Sequence, residues 1–479
     1  MAFTSHIFLF YFLPALLLLY YVLPNGLPRM RNALLVAAGY VFYAWISPWF
    51  AALLFAMTTV NYLLSRLIAA GRTQRTRLLL TVATVTLDLA VLGFFKYIVF
   101  LQDNLNSILL LAGHDARPVL RIVLPVGISF YTFKVISYIV DSYRGQARPA
   151  RSLPAFACYV SFFPQLLSGP IQRYGTIDLK SAHVPTFTDQ LLHREHTVEK
   201  FARGAALFML GFAKKILLAN AVGRAADAVF AAQSPGTLDT WFGALAYSFQ
   251  LYFDFSAYSE MAIGLGLMFG FVCPRNFDAP YRADSFGDFW RRWHISLSSW
   301  LRDYLYIPLG GNRAGTGRTY INLMIVFLLC GLWHGAGWTF VVWGAWHGLW
   351  LILERILGRK TFYAALPACV RVLLTFLLLT VGWVIFRAPT LTHATRMLAV
   401  MFVPQAAEGG SVLLSAVLYA RSNAILMALC AVLAFQPVQA FDWTRRLSWP
   451  GMLVTIVLFA LALLTMFGQA FRSFLYFQF

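Results

Sequence analysis

The stretch YINLMIVFLLCGLWHGAGWTFVVWGAWHGLWLILER, residues 320–355, contains two apolar runs joined by a glycine-rich segment. If Arg318 marks the membrane surface, a helix that starts two residues later places His334 about 21 Å deep in a hydrocarbon layer about 30 Å thick. Gly335 and Gly337 weaken the helix at that depth and allow the backbone to turn. The stretch therefore predicts membrane-embedded helices that hold an ionisable side chain inside the membrane, and such residues are rare and usually functional.

The same apolar character continues along the whole 479-residue chain. Hydrophobic residues make up 60% of it and charged residues 12%, whereas soluble proteins average roughly 45–50% and 25%. This composition excludes a soluble or disordered protein. Runs that approach the roughly 20 residues of a membrane helix occupy residues 7–23, 33–46, 49–68, 78–100, 119–140, 154–170, 201–219, 241–272, 320–334, 338–353, 364–386, 422–436 and 450–468.

These runs predict the fold class, which is an all-α polytopic membrane protein with about 11–13 membrane segments. Several segments are short or broken by glycine or proline, and we expect some of them to be re-entrant. Irregular backbone survives at membrane depth only where protein or a wet cavity surrounds it, which favours a compact bundle with a hollow. We expect one integral membrane domain over residues 1–479, with its core motifs in residues 124–355 and C-terminal helices in residues 364–468.

The positive charge of the chain is typical of membrane loops. Lysine and arginine number 38 against 19 aspartates and glutamates, so the net charge is +19. A nucleic-acid binder would also be basic, but here the charges are scattered between apolar runs, as the positive-inside rule describes. Basic clusters follow the first, third and fifth segments, which predicts that this side is cytoplasmic, that the N-terminus is periplasmic and that no nucleic acid is bound. The clusters are Arg29/Arg31, Arg72/Arg75/Arg77 and Arg144/Arg148/Arg151.

Residues 284–308, DSFGDFWRRWHISLSSWLRDYLYIP, have apolar side chains at spacings of three and four. This spacing predicts one amphipathic helix. Ser285 and Asp288 match a capping box at its start, and Pro308 marks its end. Its polar flank either lies against lipid headgroups or faces an internal cavity that binds an anionic ligand. The flank carries Arg291, His294, Ser298 and, further round, Arg302.

A tryptophan-histidine-glycine triplet occurs twice, at residues 333–335 and 346–348. A separation of thirteen residues on one helix corresponds to a rotation of about 220° after whole turns, so the two imidazoles would point apart and need not share a site. His334 is the candidate catalytic residue, with a hydrogen-bonded core role as the alternative. His347 is interpreted as a buried structural histidine.

The other polar candidates lack a complete pattern. His193 and His196, in the sequence HREH, could in principle bind a metal ion, but they lie in a charged loop without a third ligand. The five cysteines form no C-x-x-C pair, so no metal site is predicted. Asp254 lies in strongly aromatic sequence and is either an ion-pair partner or a residue that positions substrate. The chain contains neither G-x-S-x-G nor a P-loop motif, which leaves histidine-based transfer as the remaining chemistry.

At these residues the chain resembles the membrane-bound O-acyltransferase family, in particular the bacterial branch that O-acetylates alginate. The resemblance implies that His334 corresponds to the family's catalytic histidine and His294 to its second site position. It also implies a ring of helices around a thinned centre, with a tunnel for the donor. The matching stretches are LPVGISFYTFKVISYIVDSYRG (124–145), FFPQLLSGPIQRY (162–174), QLYFDFSAYSEMAIGLGLMFGF (250–271), WRRWHISLSSWLRDYLYIPLGGNR (290–313) and GLWHGAGWTFVVWGAWHG (331–348).

The resemblance further implies an activity in the bacterial inner membrane. The chain would take acetyl from cytoplasmic acetyl-CoA, without a bound cofactor, and pass it to a periplasmic or membrane-tethered SGNH-type acetyltransferase that modifies a secreted polysaccharide such as alginate. Cellulose, another exopolysaccharide and peptidoglycan are alternative acceptors. Two other classes stay open, namely a transporter or flippase and a non-catalytic scaffold of a polysaccharide secretion complex.

In the expected mechanism, neutral His334 accepts the proton of the acceptor hydroxyl as this hydroxyl attacks the thioester carbon. His294 orients the acceptor or donates to the developing oxyanion, and the two histidines could exchange roles. Arginine side chains suit the phosphates of the donor because their planar fork donates hydrogen bonds in pairs. The candidate residues for binding donor or acceptor are Arg291, Arg292, Arg302, Ser298, Asp254 and Trp333, with Arg282, Arg313 and Arg318 as further phosphate contacts.

Overall fold

The computed structural model describes residues 1–24, 26–175, 186–358, 365–404, 419–468 and 474–475. Within these residues the regular structure is helical and contains no strand. Short π-helical turns lie at Phe8–Phe12, Lys214–Ala219 and Arg302–Tyr306, and 3-10 turns lie at Phe163–Gln165, Pro280–Arg282 and Thr444–Arg446. The α-helices are α1 Leu13–Val22, α2 Pro28–Ala44, α3 Pro48–Ala70, α4 Gln74–Leu111, α5 Ile128–Tyr143, α6 Leu153–Val160, α7 Phe187–Leu192, α8 Val198–Ala213, α9 Asn220–Ala231, α10 Thr237–Met268, α11 Phe286–Arg292, α12 Ile295–Leu301, α13 Thr316–His334, α14 Trp338–Leu357, α15 Ala368–Arg387, α16 Leu391–Phe402, α17 Arg421–Phe435, α18 Ala440–Trp443 and α19 Trp449–Phe467.

The predicted class, an all-α multi-pass membrane protein, is confirmed. Among the described residues seven helices are long and apolar enough to cross a membrane, or eight if the bent pair of α17 and Ala440–Arg446 is one span. The sequence predicts about 11–13 segments because it also counts short ones. Helices such as α5, with 16 residues, and α6, with 8, are short for a full span.

Three parts of the fold prediction stay predictions, namely the tunnel, the thinned centre and the single domain over residues 1–479. Helices α15 to α19 lie in the region where the sequence predicts C-terminal helices, residues 364–468. Residues 364 and 405–418 of that region lie outside the described residues.

The chain forms two compact units, one of Met1–Phe208 with Met261–Pro274 and one of Met209–Glu260 with Arg275–Phe479. In the first unit Phe8, Phe42 and Phe163 form an aromatic cluster with ring centroids 5.5–6.2 Å apart. Tilted and edge-to-face contacts between such rings contribute to the packing of this core, because aromatic pairs prefer these arrangements.

The second unit contains a tight helical hairpin made of α13 and α14. A Cβ added at Gly331 would lie 2.1 Å from the Phe340 carbonyl oxygen, and one added at Gly344 would lie 2.2 Å from the Phe327 carbonyl oxygen. Small residues allow membrane helices to approach to backbone contact, where van der Waals packing replaces the hydrophobic effect as the driving force. The hairpin therefore fixes the end of α13, where His334 lies.

Candidate active site

His334 is the last residue of α13, and the chain leaves the helix directly after it. Gly335 is extended and Gly337 precedes α14, so the glycines interrupt the helix as the sequence predicts. A Cβ at position 335 would lie 2.1 Å from the Phe340 ring, which explains why this turn requires glycine. Aromatic rings surround the imidazole, with centroid distances of 4.9 Å to Trp333, 4.9 Å to Trp343 and 5.3 Å to Phe386.

The three histidines of the second unit that lie closest to these aromatic rings differ in exposure. His334 keeps 7% of its surface exposed, whereas His294 and His347 keep none. Of the three, His334 is therefore the imidazole that a substrate reaches with the least rearrangement. Its aromatic surroundings are dry, and electrostatic interactions with a bound substrate are stronger in a medium of low dielectric.

The His347 ring packs against the Trp343 indole, with a ring-centroid distance of 4.6 Å. The predicted rotation between the two imidazoles applies to one unbroken helix, whereas the chain reverses between α13 and α14. That the two imidazoles need not share a site stays a prediction. His334 and His347 both contact Trp343. The indole N–H of Trp290, on α11, donates to His347 Nδ1 at 3.2 Å, so His347 is both buried and hydrogen-bonded.

His294 lies at a break in the chain, and the prediction of one helix over residues 284–308 is wrong. Helix α11 ends at Arg292, and His294 has a φ of 42°, in the left-handed region, before α12 begins. This region is unfavourable for residues other than glycine, so other contacts must hold it. The predicted cap is confirmed, since the Ser285 side chain accepts a hydrogen bond from Asp288 N at 3.1 Å.

Asn276 supplies those contacts. Its Oδ1 lies 3.2 Å from His294 Nδ1 and accepts hydrogen bonds from the Ser296 backbone N–H at 3.2 Å and the Ser296 hydroxyl at 2.9 Å. Its own carbonyl accepts from Ile295 N at 3.0 Å, and its Nδ2 donates to the Ser259 hydroxyl. One side chain therefore fixes both the backbone and the imidazole at the break.

The same contact sets the tautomer of His294. A backbone N–H donates to Asn276 Oδ1, which identifies that atom as the acceptor, so His294 Nδ1 carries the proton. Burial lowers the pKa of His294 to about 3, so the ring is neutral and Nε2 holds a lone pair. The ring also contacts Trp333, with centroids 6.1 Å apart. Because Trp333 contacts His334 as well, both predicted histidines border the same indole.

The predicted arginines lie elsewhere on the surface. The side chain of Arg291 is 71% exposed and lies 3.3 Å from Asp288, and Arg292 pairs with the same carboxylate at 2.7 Å. Arg302 is 45% exposed and pairs with Asp303 at 2.6 Å. Arg291 and Arg292 lie on α11, before the break at His294, whereas Arg302 follows the last residue of α12. Ser298 lies half-buried on α12. Arg282, Arg313 and Arg318 are exposed.

Asp254 is an ion-pair partner, which is one of the two predicted interpretations. Both its side chain and that of Lys215 are 3% exposed, and they form a direct salt bridge. The second carboxylate oxygen accepts from the Leu475 backbone N–H at 2.9 Å. A neighbouring pair joins Lys214 to Glu260 at 2.6 Å. Both oxygens of Asp254 are therefore engaged within the protein.

Comparison with known proteins identifies the family. The sequence model of the MBOAT, membrane-bound O-acyltransferase family, matches residues 145–375. Azotobacter vinelandii has a relative named "Probable alginate O-acetylase AlgI" that is 52% identical over 84% of this chain and 78% of its own length. The chain belongs to the membrane-bound O-acyltransferase family.

Two other relatives of this membrane-bound O-acyltransferase match along the whole chain. A "Probable alginate O-acetylase AlgI" of Pseudomonas putida is 44% identical over 100% of both chains. A "Peptidoglycan O-acetyltransferase" of Helicobacter pylori is 33% identical over 100% of this chain and 97% of its own. The chain is thus a multi-pass membrane acyltransferase, and the matched segment contains both His294 and His334.

The sequence did not reveal three residues around these histidines. Asn276 precedes His294 by 18 positions. Residues so far apart in the sequence do not follow the helical spacing of three or four, so no pattern in the sequence indicates their contact. Trp290 and Trp343 were visible only as apolar positions, although their indoles contact His347. A polar residue next to a turn, such as Asn276, is a usable hint only when the turn is already known.

Proposed function

We propose that this acyltransferase is an inner-membrane O-acetyltransferase that takes acetyl from cytoplasmic acetyl-CoA and passes it across the membrane for O-acetylation of a secreted, alginate-type polysaccharide. The observation that carries the proposal is the end-to-end similarity, at 44% identity, to a protein named as an alginate O-acetylase. The N-terminus lies in the periplasm in this proposal, and a periplasmic or membrane-tethered SGNH-type acetyltransferase of the polysaccharide complex receives the acetyl group.

His334 is the general base of the proposed reaction. Its imidazole accepts the proton of the acceptor hydroxyl while the hydroxyl oxygen bonds to the thioester carbon. The carbon–sulfur bond then breaks, and the leaving thiolate takes the proton back from the imidazolium, so charge and protons balance. The residual exposure of His334 and its position at a helix end support this assignment. A positioned base of this kind contributes roughly 10²–10⁴-fold to the rate.

His294 orients the acceptor in this proposal. Because its Nδ1–H faces Asn276, its Nε2 accepts a hydrogen bond and does not donate one. An acceptor atom suits a substrate hydroxyl and does not suit an oxyanion, which requires donors. This geometry favours the orienting role over the oxyanion role that the sequence also allows. Trp333 separates the two imidazoles and positions both rings.

Acetyl-CoA binds in the proposal through the exposed guanidinium groups of α11 and the turn after α12. Arg291 and Arg302 are accessible enough to meet phosphate groups at the surface, and Arg292 is partly exposed. Ser298, half-buried on α12, contributes a hydroxyl. Asp254 acts indirectly, because its carboxylate is already engaged by Lys215 and Leu475.

The test is acetyl transfer by purified protein from labelled acetyl-CoA, with polymer acetylation in cells as the second readout. The variants are His334→Gln and His294→Gln, and His347→Gln is the matched control because that histidine is bonded to Trp290 within the protein. After membrane levels are equalised, we expect His334→Gln to lose roughly 10²-fold or more and His347→Gln to keep most activity. Substantial transfer by His334→Gln refutes its role as base, and substrate movement without acyl consumption favours a transporter.

Peptidoglycan is the second candidate acceptor, because the relative named for it aligns over this entire chain. Mass spectrometry of polysaccharide and peptidoglycan from a deletion strain separates the two. Loss of acetyl esters from the exopolysaccharide alone supports the first candidate, and loss from peptidoglycan alone supports the second.

A further inference from the structure

A basic cluster in the first unit surrounds the HREH segment. Arg31 on α2 is 3% exposed, and its Nη2 donates to the Leu23 carbonyl at 2.6 Å. Its Nη1 lies 3.3 Å from His196 Nδ1. Arg194 donates from Nε to the Tyr20 hydroxyl at 2.8 Å. Two guanidinium groups and one imidazole therefore meet around a single tyrosine ring, with Arg31 and Arg194 centred 5.0 Å and 5.8 Å from it.

Among the described residues the cations of this cluster form no ion pair. None of the ion pairs between described residues includes Arg31, Arg194 or Lys200. Arg31 Nε and Arg194 Nη2 are buried N–H groups for which the described residues provide no acceptor. Buried charges are normally paired, because an unpaired charge in a dry site is costly. Arg194 Nη1 donates to Asn32 Oδ1 at 2.7 Å and to the Gln190 and Leu191 carbonyls, so Arg31 Nε and Arg194 Nη2 are the two N–H groups that an anion with oxygen acceptors would satisfy.

The protonation state of His196 is consistent with a strongly positive site. Burial and the positive charges of Arg31, Arg194 and Lys200 together lower the pKa of His196 to about 4. The imidazole is therefore neutral, and the positive cluster repels cations. These include the metal ions that the two histidines of HREH could in principle bind. His196 and Arg194 are half-buried, so the cluster reaches the surface of the protein.

The surroundings indicate a lipid ligand. Leu18, Leu19 and Val22 on α1 are 68%, 56% and 72% exposed, and Val198 at the start of α8 is 87% exposed. Exposed apolar side chains on a membrane helix contact acyl chains. A guanidinium pair at the end of such a helix lies at headgroup level, where clusters of basic residues recognise anionic headgroups.

We propose that Arg31 and Arg194, with Lys200 at the rim, form a binding site for the headgroup phosphate of an anionic phospholipid. The phosphate oxygens accept from both guanidinium groups, a geometry in which arginine is favoured over lysine. The bound headgroup holds α1, α2 and the segment before α8 together. The residues of this site belong to the first unit, and the proposal does not depend on the proposed acetyl transfer.

The test measures retention of phosphatidylglycerol against phosphatidylcholine by native mass spectrometry of purified protein, and thermal unfolding with either lipid added. We expect the wild type to retain phosphatidylglycerol preferentially and to be stabilised by it. Arg31→Gln and Arg194→Gln should each weaken retention about fivefold, the effect of one basic residue at an anionic surface. Arg29→Gln, an exposed arginine two positions before Arg31, is the matched control and should retain the lipid as the wild type does.

Three results overturn the proposal. They are equal retention of the two lipids by the wild type, an equal loss in Arg29→Gln, and stabilisation by inorganic phosphate or free coenzyme A to the same extent without lipid. The third result would assign the site to a soluble phosphate. If the glutamine variants do not fold, the wild-type comparison and Arg194→Lys, which keeps the charge and loses the paired donors, still decide the question.

Discussion

The buried pair of Lys215 and Asp254 allows a sharp test of whether Asp254 is structural or binds substrate. Both side chains are 3% exposed, and Lys215 also lies 4.8 Å from the centre of the Phe474 ring. The substitution Asp254→Asn keeps the size of the side chain and removes its charge. Lys215 then loses the carboxylate with which it forms the buried ion pair.

The expected cost follows from the burial of the pair. Removing one partner of a buried ion pair costs about 3–5 kcal/mol, because the remaining charge stays desolvated. Replacing both partners by neutral residues of similar volume is often neutral or stabilising. We therefore expect Asp254→Asn to lower stability strongly and the double variant Asp254→Asn/Lys215→Met to recover most of it. Leu475 N can still donate to the side-chain oxygen of Asn at position 254.

The measurements are the thermal midpoint of purified protein and acetyl transfer per folded molecule. If Asp254 is structural, transfer per folded molecule stays near the wild-type value in the double variant. The reasoning is refuted if the single variant is as stable as the wild type, or if the double variant is stable but inactive. The second result would mean that the carboxylate contacts substrate.

Three further predictions concern the hairpin and His294. Asn276→Ala removes the acceptor of two buried N–H groups, and leaving each of them unsatisfied costs about 1–3 kcal/mol. This variant should therefore be less stable and transfer less acetyl, whereas Asn276→Asp should keep the fold and shift the pH dependence of transfer. If Asn276→Ala behaves as the wild type does, the role assigned to Asn276 is wrong. Gly344→Ala places a Cβ 2.2 Å from a backbone oxygen and should cost at least about 1–3 kcal/mol. Gly348→Ala is the control and should be milder in thermal unfolding, because its Cβ would lie 3.2 Å from the flexible Met324 sulfur and 3.3 Å from Phe327 Cβ. In the folded protein the pKa of His294 lies below the ordinary value near 6.5, so the unfolded chain binds one more proton at lower pH. The free energy of unfolding should therefore fall as the pH drops from about 6.5 towards 3, by at most about 1.4 kcal/mol per pH unit. If His294→Gln shows the same dependence of the free energy of unfolding on pH as the wild type, this prediction is wrong.

Sequence reasoning succeeded where the signal is local. The glycines after His334 predict a break in the helix, and the break lies there. Ser285 predicts a helix start, and its side chain caps α11. Membrane character follows from composition alone. Each of these inferences depends on a few consecutive residues or on an average, so no knowledge of distant contacts is needed.

It failed where distant residues decide the local structure. The apolar spacing of residues 284–308 is truly helical on either side of the break, so nothing in that segment shows the interruption. The break exists because Asn276, outside the segment, satisfies the backbone of Ser296 and the ring of His294. A helical wheel likewise describes one helix only, and the chain folds back between α13 and α14, so the rotation between His334 and His347 cannot place the two rings relative to each other.

The positions of the three histidines separate their roles better than their sequence contexts do. His347 is in the middle of α14, where neighbouring turns fix its ring and Trp290 occupies its Nδ1. His334 closes α13, and His294 precedes α12 in a left-handed conformation that costs about 1–3 kcal/mol. At a helix end the side chain is held by contacts from other parts of the chain, and strained backbone persists only where those contacts outweigh its cost. The fold thus stabilises an unfavourable conformation at His294 through Asn276. Trp333 contacts both His294 and His334, and the proposed transfer depends on this arrangement, so the loss of activity in His334→Gln and His294→Gln decides whether the two rings act together.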